Sequence, residues 1–510
     1  MRFKDVFMLA LFALSVSFLF QYMFFKPNKP VEETSFVAPK ERKEYRPLNL
    51  EVDSVDRKST LPVVITDIET EWAFLNFSTY GAALESIDCK RDVDGKVKTI
   101  RTIFPVADSQ QKERCFLVAL EHDTPMFYRL SSFDDFDGTY VVRYVAENSA
   151  CTIHKTFFVD KKKPVINLKL ELAPKDINND CRARVFYPAP LMPDLKSNDI
   201  VSTCIVDKSD EFLRKQMSQI DFQQGWFAPK VFGIDNRYFI HSLINDSHNF
   251  VERAYYKTQN CSQMFSILEG PRVSGAASWE LSFYFGPKDL DCLQEVGHSL
   301  EKTLEYSGWF APIAKFILYM LRWFYKYLHN YGLAIAALAV LFHLLMLPVM
   351  LRHNEDKLKK QQAEYQKKLA ALKVRFANEP DKLAVEQAEL IKKEGMPGLG
   401  FLLVLFLQIP PFFALRNVLS SSFELYQAPM LWIPDLSATD PYYILSILLV
   451  IVMIMQDVKV DPQQRMNKFL MAIVFGAITT TCAAGLTLYI LLGRVLGLLQ
   501  SRIMKYFKMV

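Results

Sequence analysis

The sequence predicts an α+β protein, in which a polytopic α-helical membrane bundle of about six spans carries a large extracytoplasmic β-sandwich domain. The 510-residue chain is 50% hydrophobic and yet 23% charged, an average that usually joins two unlike parts. Six long apolar runs lie at the N-terminus and after residue 330. The charge divides in the same way, because residues 26–308 hold 36 Lys and Arg against 42 Asp and Glu, although the whole chain has a net charge of +4.

The first apolar run predicts an N-terminal transmembrane anchor within residues 1–25. Residues 6–25 can cross a hydrocarbon core of about 30 Å, and Arg2 and Lys4 precede them. The end of this run, QYMFFKP, lacks the small residues of a signal-peptide cleavage site. This favours an uncleaved anchor over a secretory leader. Residues 26–58 are rich in Pro, Lys and Glu and are predicted to form a linker.

Residues 59–308 predict the outer β-sandwich domain. Short β-branched and aromatic runs such as TYVVRYVA, CTIHKTFFV and PVINLKLEL alternate with turns rich in Asp, Asn, Gly and Pro. Seven of the eight cysteines lie in this domain, and none has the spacing of a metal site. Their odd number leaves at least one thiol unpaired within the domain and favours buried structural cysteines over disulfides.

The chain shows none of the common catalytic motifs. It contains no GxxxxGK[ST], HExxH or GxSxG, and its histidines are scattered. The sequence therefore predicts a protein that is not an enzyme and that needs no cofactor or metal.

Residues 309–331 predict an amphipathic helix that lies along the outer membrane interface. Its basic residues fall on one face at 100° per residue, and aromatic and aliphatic residues occupy the others. The basic residues are Lys315, Arg322, Lys326 and His329. Four such residues make a seventh span costly, so we expect cationic groups among the lipid headgroups and rings at the boundary.

Residues 332–510 predict the membrane core. Its apolar runs cover residues 332–350, 398–419, 442–456, 466–481 and 485–501. Basic connections alternate with connections that have no Lys or Arg, which places both chain termini in the cytoplasm and residues 26–308 outside. Residues 352–394 predict a charged cytoplasmic hairpin of two helices joined near Pro380, and its periodicity is compatible with a solvated connector or with an arm that meets a partner.

Several motifs are distinctive beyond their hydrophobicity. The membrane core reads GMPGLGFLLVLFLQIPPFFALRNVL, then ELYQAPMLWIPDLSATDPYYIL, and GLTLYILL in the last run. The outer domain contains GWFAPK and FYFGPKDL. Together these motifs resemble the YidC membrane protein insertase family of the Gram-negative type, which has a large periplasmic domain. The resemblance is close over about 230 C-terminal residues and looser over the outer domain.

The resemblance implies a membrane protein insertase and chaperone of the bacterial inner membrane. Such proteins move nascent membrane proteins into the bilayer through a hydrophilic groove, alone or with the Sec translocon, and hydrolyse no nucleotide. The expected partners are nascent membrane proteins, the Sec translocon, membrane lipids and the ribosome, and no specific nucleic acid. The alternative is a polytopic transporter with an extracytoplasmic binding domain, but the sequence shows no convincing internal repeat.

The resemblance also indicates where the groove residues lie. The family carries a groove arginine five residues before the proline that matches Pro348, and this chain has His343 there, which need not be charged near neutral pH. We therefore expect Arg494, an intramembrane arginine at similar depth, to supply the positive charge, although it could instead reach the cytoplasmic headgroups. Gln408 and Tyr489 match family positions and either line the groove or join helices.

Overall fold

The architecture comes from a computed structural model of the chain. It describes residues 63–93, 96–103, 115–120, 127–147, 151–175, 181–191, 201–220, 224–259, 263–297, 300–304, 311–352, 368–372, 375–376, 386, 390, 411–456 and 462–506. All of them belong to one compact unit, Val52–Val510. The predicted anchor (1–25), the linker (26–58), Gln408 and nearly all of the hairpin (352–394) lie outside the described residues.

Eighteen strands form three antiparallel sheets in the described part of the chain. The four-stranded sheet runs β1-β2-β3-β4, the nine-stranded sheet β12-β11-β14-β15-β18-β9-β8-β7-β6, and the five-stranded sheet β13-β16-β17-β10-β5. The strands are β1 (Ile65–Glu69), β2 (Ala73–Ser78), β3 (Ala83–Val93), β4 (Lys96–Ile103), β5 (Val118–Ala119), β6 (Arg129–Phe136), β7 (Thr139–Glu147), β8 (Cys151–Asp160), β9 (Val165–Pro174), β10 (Cys181–Pro188), β11 (Ser202–Val206), β12 (Phe212–Gln216), β13 (Gly225–Phe227), β14 (Val231–Asp235), β15 (Phe239–Asp246), β16 (Arg253–Gln259), β17 (Gln263–Val273) and β18 (Ala277–Pro287).

The alternation of side chains explains how these sheets build a core. In β8 and β9, nearly every second residue is buried, and the residues between are partly exposed. The buried faces of the sheets enclose one continuous apolar core, which includes Phe77, Phe157, Leu168, Tyr187 and Phe283. The predicted large β-sandwich is thereby confirmed, and its packing of aromatic rings accounts for the many Phe and Tyr in the sequence.

The helices follow the sandwich in the chain. They are α1 (Leu290–Val296), α2 (Ala311–Leu328), α3 (Tyr331–Arg352), a helical segment at residues 411–421, α4 (Ile444–Gln456), α5 (Pro462–Thr479) and α6 (Ala484–Tyr506). Short 3₁₀ turns occur at Met217–Gln219, Leu300–Thr303 and Phe423–Leu425.

The described helices account for only part of the predicted membrane bundle. Ala484–Ile503 is long and apolar enough to cross a bilayer, and the bent pair Pro312–Leu328 and Tyr331–Leu347 counts as one more candidate at most. Ile444–Met455 and Phe469–Thr479 are shorter apolar helices. The number of six spans therefore stays a prediction.

Helix α2 turns away from α3 by 120° at a short break. Its Ile317 and Leu321 are buried in a second apolar core, which joins one face of the nine-stranded sheet to the helices. Its aromatic residues form an exposed stripe on another side of the helix. They are Phe316, Tyr319, Trp323 and Tyr327.

The cysteines of the described sandwich are mostly buried. Those at positions 89, 115, 151, 181 and 204 are buried, and Cys292 is half-buried. Burial raises the pKa of the Cys89 thiol to about 12, because the apolar core disfavours the thiolate. For these residues, the prediction of buried structural cysteines is confirmed.

Candidate functional site

Helices α3 and α6 bring two of the predicted groove residues onto neighbouring elements. The helices approach closely near their N-terminal ends, where a Cβ on Gly485 would lie 3.0 Å from Ile335 Cδ1. His343 lies about 18 Å along α3 from Tyr331, and Arg494 about 15 Å along α6 from Ala484, at about 1.5 Å per residue. The two residues therefore lie at similar distances from the first residues of their helices. The sequence predicts the same similarity when residues are counted from the other ends of the two helices.

The surroundings of these two residues differ. His343 is half-buried, and its Nε2 is buried without a hydrogen-bond partner among the described residues. Arg494 has an exposed side chain. An imidazole nitrogen in an apolar helix usually has a partner, so the state of His343 is compatible with a site that receives another molecule.

Tyr489 lies on a different side of α6 from Arg494. Five residues correspond to a rotation of about 140° at 3.6 residues per turn. The Tyr489 ring packs against the helical core and is half-buried. This position favours the helix-joining role of Tyr489, and its groove role stays a prediction.

Residues 422–443, which we call the outer loop after the predicted orientation of the chain, bind the N-terminal end of α6. Backbone carbonyls of Ala438 and Leu436 accept hydrogen bonds from Ala484 N at 2.6 Å and from Gly485 N at 2.9 Å. These two amides belong to the first residues of α6, where an α-helix has no carbonyl of its own to accept from them. The outer loop therefore supplies the acceptors for these N–H groups. The loop thereby fixes the outer end of the helix that carries Arg494.

Short polar side chains give the outer loop its shape. Asp440 accepts hydrogen bonds from Tyr442 N at 3.2 Å and from Leu445 N at 2.8 Å, which caps the start of α4. The indole Nε1 of Trp432 also donates to Asp440, at 3.2 Å. The motif LWIPDLSATDPYYIL is therefore a self-bonded turn followed by a helix cap.

The β-domain binds the outer loop through two adjacent residues. The Arg237 guanidinium donates to the carbonyls of Ser420 at 2.8 Å, Ser437 at 3.1 Å and Leu419 at 3.4 Å. The hydroxyl of Tyr238 donates to Ser437 Oγ at 2.8 Å. Both residues follow β14, so a strand end of the sandwich binds both the helix at 411–421 and the outer loop.

Aromatic rings strengthen the same joint. Phe423 and Tyr426 of the outer loop belong to the core of the sandwich. The Phe423 ring meets the edge of Phe239 at 5.2 Å between centroids, and Tyr426 lies 4.5 Å from Tyr238. Arg91 of β3 donates to the Glu424 carbonyl at 2.5 Å. The outer loop therefore shares a packed interior with the β-domain, and this favours a fixed arrangement over a flexible tether.

An ionic cluster connects α2 to the outer loop and to α1. Arg322 Nε donates to Glu424 Oε1 at 2.7 Å, Nη1 to Asp291 Oδ2 at 2.6 Å and Nη2 to Asp289 Oδ1 at 2.9 Å. The Tyr331 hydroxyl donates to the other oxygen of Glu424 at 3.3 Å. Burial raises the pKa of the Glu424 carboxyl, and Asp289 adds to the rise against the lowering effect of Arg322.

This cluster corrects one expectation for the amphipathic helix. Arg322 does not extend toward headgroups, because three carboxylates surround it and its side chain is only 22% exposed. The periodicity of the helix cannot distinguish a lipid phosphate from a protein carboxylate as the partner. A signal was nevertheless present, since Glu424 lies in a connection without Lys or Arg and needs a cation from elsewhere.

The described residues contain no group of three or more His, Cys, Asp or Glu arranged to hold a metal ion. The described helices are apolar, they carry a few polar side chains, and residues 422–443 form a structured loop against their N-terminal ends.

Two family models match the chain. The 60Kd inner membrane protein model matches residues 323–509, and the YidC periplasmic domain model matches residues 205–320. The membrane protein insertase YidC of Geobacter metallireducens is 32% identical over 326 residues, which is 62% of this chain and 60% of the relative.

This chain belongs to the YidC family. The insertase YidC of Anaeromyxobacter sp. (strain K) is 29% identical over 473 residues, covering 84% of this chain and 82% of the relative. A solved structure titled as an active YidC insertase with its first transmembrane domain resolved aligns over 86% of this chain and 93% of its own, at 15% identity and a TM-score of 0.37. The match to the Geobacter YidC spans about three fifths of that relative's length.

The boundary between the two YidC models falls inside α2. Residue 320 ends the periplasmic match and residue 323 begins the membrane match, so Arg322 lies between the two matched regions. The ionic cluster around Arg322 therefore joins Asp289 and Asp291 of the first matched region to Glu424 of the second.

Proposed function

We propose that this protein is a membrane protein insertase and chaperone of the bacterial inner membrane. What supports the proposal is that His343 and Arg494 lie on neighbouring apolar helices, at similar distances from the helix starts, in a chain of the YidC family. Substrates would be nascent membrane proteins. The protein would act without nucleotide hydrolysis, in agreement with the absence of a GxxxxGK[ST] motif from its sequence.

The physical task is to move a polar flank across hydrocarbon. Unpaired polar groups in lipid cost several kcal/mol each, so a half-depth polar groove shortens the distance over which the flank lacks partners. The apolar segment of the substrate then leaves sideways into lipid. The outer loop and the β-domain joint support a groove that opens to the cytoplasm and closes on the outer side.

In this proposal Arg494 supplies the permanent positive charge of the groove. A guanidinium stays protonated at all physiological pH values. His343 supplies a hydrogen-bonding group. Gln408 would add polar surface to the groove, and Tyr489 would join α6 to the neighbouring helices.

The wider arrangement is also a proposal. Six spans would place both termini in the cytoplasm and the sandwich in the periplasm, with α2 along the outer interface, where its aromatic stripe suits the membrane boundary. The basic hairpin at 352–394 would face the ribosome, and the protein would work alone or beside the Sec translocon.

A depletion strain that depends on this protein for growth tests the charge assignment. We expect Arg494→Ala to lose complementation, Arg494→Lys to retain part of it, and His343→Ala to be milder than Arg494→Ala. Arg502→Ala is the matched control, because Arg502 is an exposed arginine just over two turns nearer the C-terminal end of the same helix. Full complementation by Arg494→Ala at normal protein levels would refute the assignment.

Site-specific photocrosslinking tests the insertase activity itself. A photoreactive residue at position 494 is expected to capture a stalled nascent membrane protein, whereas one at Leu499, an exposed position on the same helix, captures lipid. Absence of nascent-chain products at both positions would contradict the proposal.

A further inference from the structure

The five-stranded sheet has an outer face that neither apolar core covers. Along β10, Ala183, Val185 and Tyr187 point into the core of the sandwich, so the alternate residues Arg184 and Phe186 point the other way. Three further side chains that lie outside both cores are nevertheless buried on β16 and β17. They are Tyr255, Phe265 and Ile267.

A row of charged residues crosses this face. Glu269 of β17 is the register partner of Arg184 on β10 and of Arg253 on β16. Glu269 accepts from Arg182 Nη1 at 2.6 Å through one oxygen and from Arg253 through the other. The only buried carboxylate of the row is therefore already shared by two arginines, and neither of them is Arg184.

Arg184 is the exception among the buried cations of the described sandwich. Its side chain is 0% exposed, and Nε, Nη1 and Nη2 all lack a hydrogen-bond partner among the described residues. By contrast, Lys155 Nζ donates to the carbonyls of Gly81 at 2.6 Å and Phe116 at 2.7 Å, and Lys288 donates to Asp235 at 2.7 Å.

An unpaired buried guanidinium is among the most unfavourable groups that a folded protein can contain. It keeps its charge, it loses its hydration, and its N–H donors have no acceptor. The other buried cations of this domain show that the fold can provide acceptors, so a missing acceptor at Arg184 points to a partner from outside the chain.

We propose that Arg184 binds an oxyanion, the phosphate or carboxylate group of a small ligand. A guanidinium presents paired N–H donors that match both groups in bidentate geometry. An anion would complement the charge of Arg184 itself, because Arg182 and Arg253 already share Glu269 and Arg182 also binds Glu252 at 3.0 Å. Phe186 and the other apolar side chains of this face would contact the rest of the ligand. This site is independent of the insertase groove.

Hydrogen exchange of the full chain in detergent tests the site. Because Arg184 is fully buried, a ligand must enter through local opening of β10 and β17, and its binding should slow exchange in peptides from these strands. The probes are inorganic phosphate and acetate, each compared with chloride at the same ionic strength. We expect saturable protection of at least threefold by one or both of them. The probe that protects identifies the ligand class.

Two variants separate binding from general salt effects. Arg184→Met keeps the length of the side chain and removes the charge, so it should abolish the protection. Arg101→Met removes a more exposed arginine that pairs with Asp88 at 2.6 Å, and it should leave the protection unchanged. Phosphate also stabilises proteins by exclusion from their surfaces, but that effect does not saturate and is equal in all variants. Absence of protection in the wild type, or equal protection in Arg184→Met, would overturn the proposal.

Discussion

His241 makes the stability of the β-domain depend on pH in a predictable direction. The residue lies on β15 with 0% exposure, and its ring is 4.5 Å from that of Phe285. Its Nδ1 lies 2.9 Å from the carbonyl oxygen of Pro188, which can only accept, so Nδ1 carries the proton. Nε2 is buried without a hydrogen-bond partner among the described residues. Burial therefore lowers the pKa of His241 to about 3.

The free energy follows from the difference between folded and unfolded pKa values. In the unfolded chain the pKa of His241 is about 6.5, so above that pH the ring is neutral in both states and nothing is lost. Below pH 6.5, the unfolded chain binds a proton at His241, whereas the folded domain does not. Stability then falls by about 1.4 kcal/mol per pH unit, reaches a loss of about 2.7 kcal/mol at pH 4.5, and levels off below about pH 3.

Thermal unfolding of the full chain in detergent, followed by near-UV circular dichroism between pH 7.5 and 4.5, measures this loss. His241→Phe keeps a ring and removes the titration, at a fixed cost from the unpaired Pro188 carbonyl. We expect the wild type to lose about 5–10 °C more than His241→Phe over this range. His154→Gln, at an exposed histidine of β8, should follow the wild type. Parallel curves for the wild type and His241→Phe would refute the reasoning.

Three further predictions concern the joint and the core. Gly332→Ala should destabilise the protein by about 1–3 kcal/mol, because a Cβ there would lie 2.0 Å from Met430 Sδ and 2.7 Å from its Cβ, and a companion Met430→Ala should restore the melting temperature. A double-mutant cycle of Arg322→Gln and Glu424→Gln should give a coupling of about 1–3 kcal/mol in thermal unfolding, and additive losses would contradict a direct pair. A chain that retains Cys89 as its one thiol should resist maleimide at pH 8 until it is denatured, and native labelling at the denatured rate would show the thiol to be accessible.

The sequence predicts the secondary structure of each region well, because hydrophobic periodicity and composition are local properties of the chain. Alternation along β8 and β9 and the apolar length of α6 each depend on residues close together in the chain. Such patterns identify a half-buried strand or an apolar helix without any knowledge of its neighbours. The β-sandwich and the helical residues of α6 therefore agree with the prediction.

Partners that are distant in the chain escape this kind of reasoning. Arg237 and Ser420 are 183 positions apart, and Arg322 and Glu424 are 102 apart. Nothing in either local pattern specifies the other member of the pair. The burial of Arg184 is a further example, since a charged residue in the strand CRARVFYP predicts exposure by composition, whereas the sheet buries it completely.

The outer loop joins the sandwich and the amphipathic helix to the helix that carries Arg494. One stretch of chain supplies the acceptors for the first amides of α6, the acceptor for Arg237 of the sandwich, and the carboxylate for Arg322 of the amphipathic helix. A displacement of the sandwich would therefore move the start of the helix that carries Arg494. Because packed interiors transmit small shifts rather than absorb them, changes at Arg237 should alter the position of α6 and with it the groove proposed around Arg494.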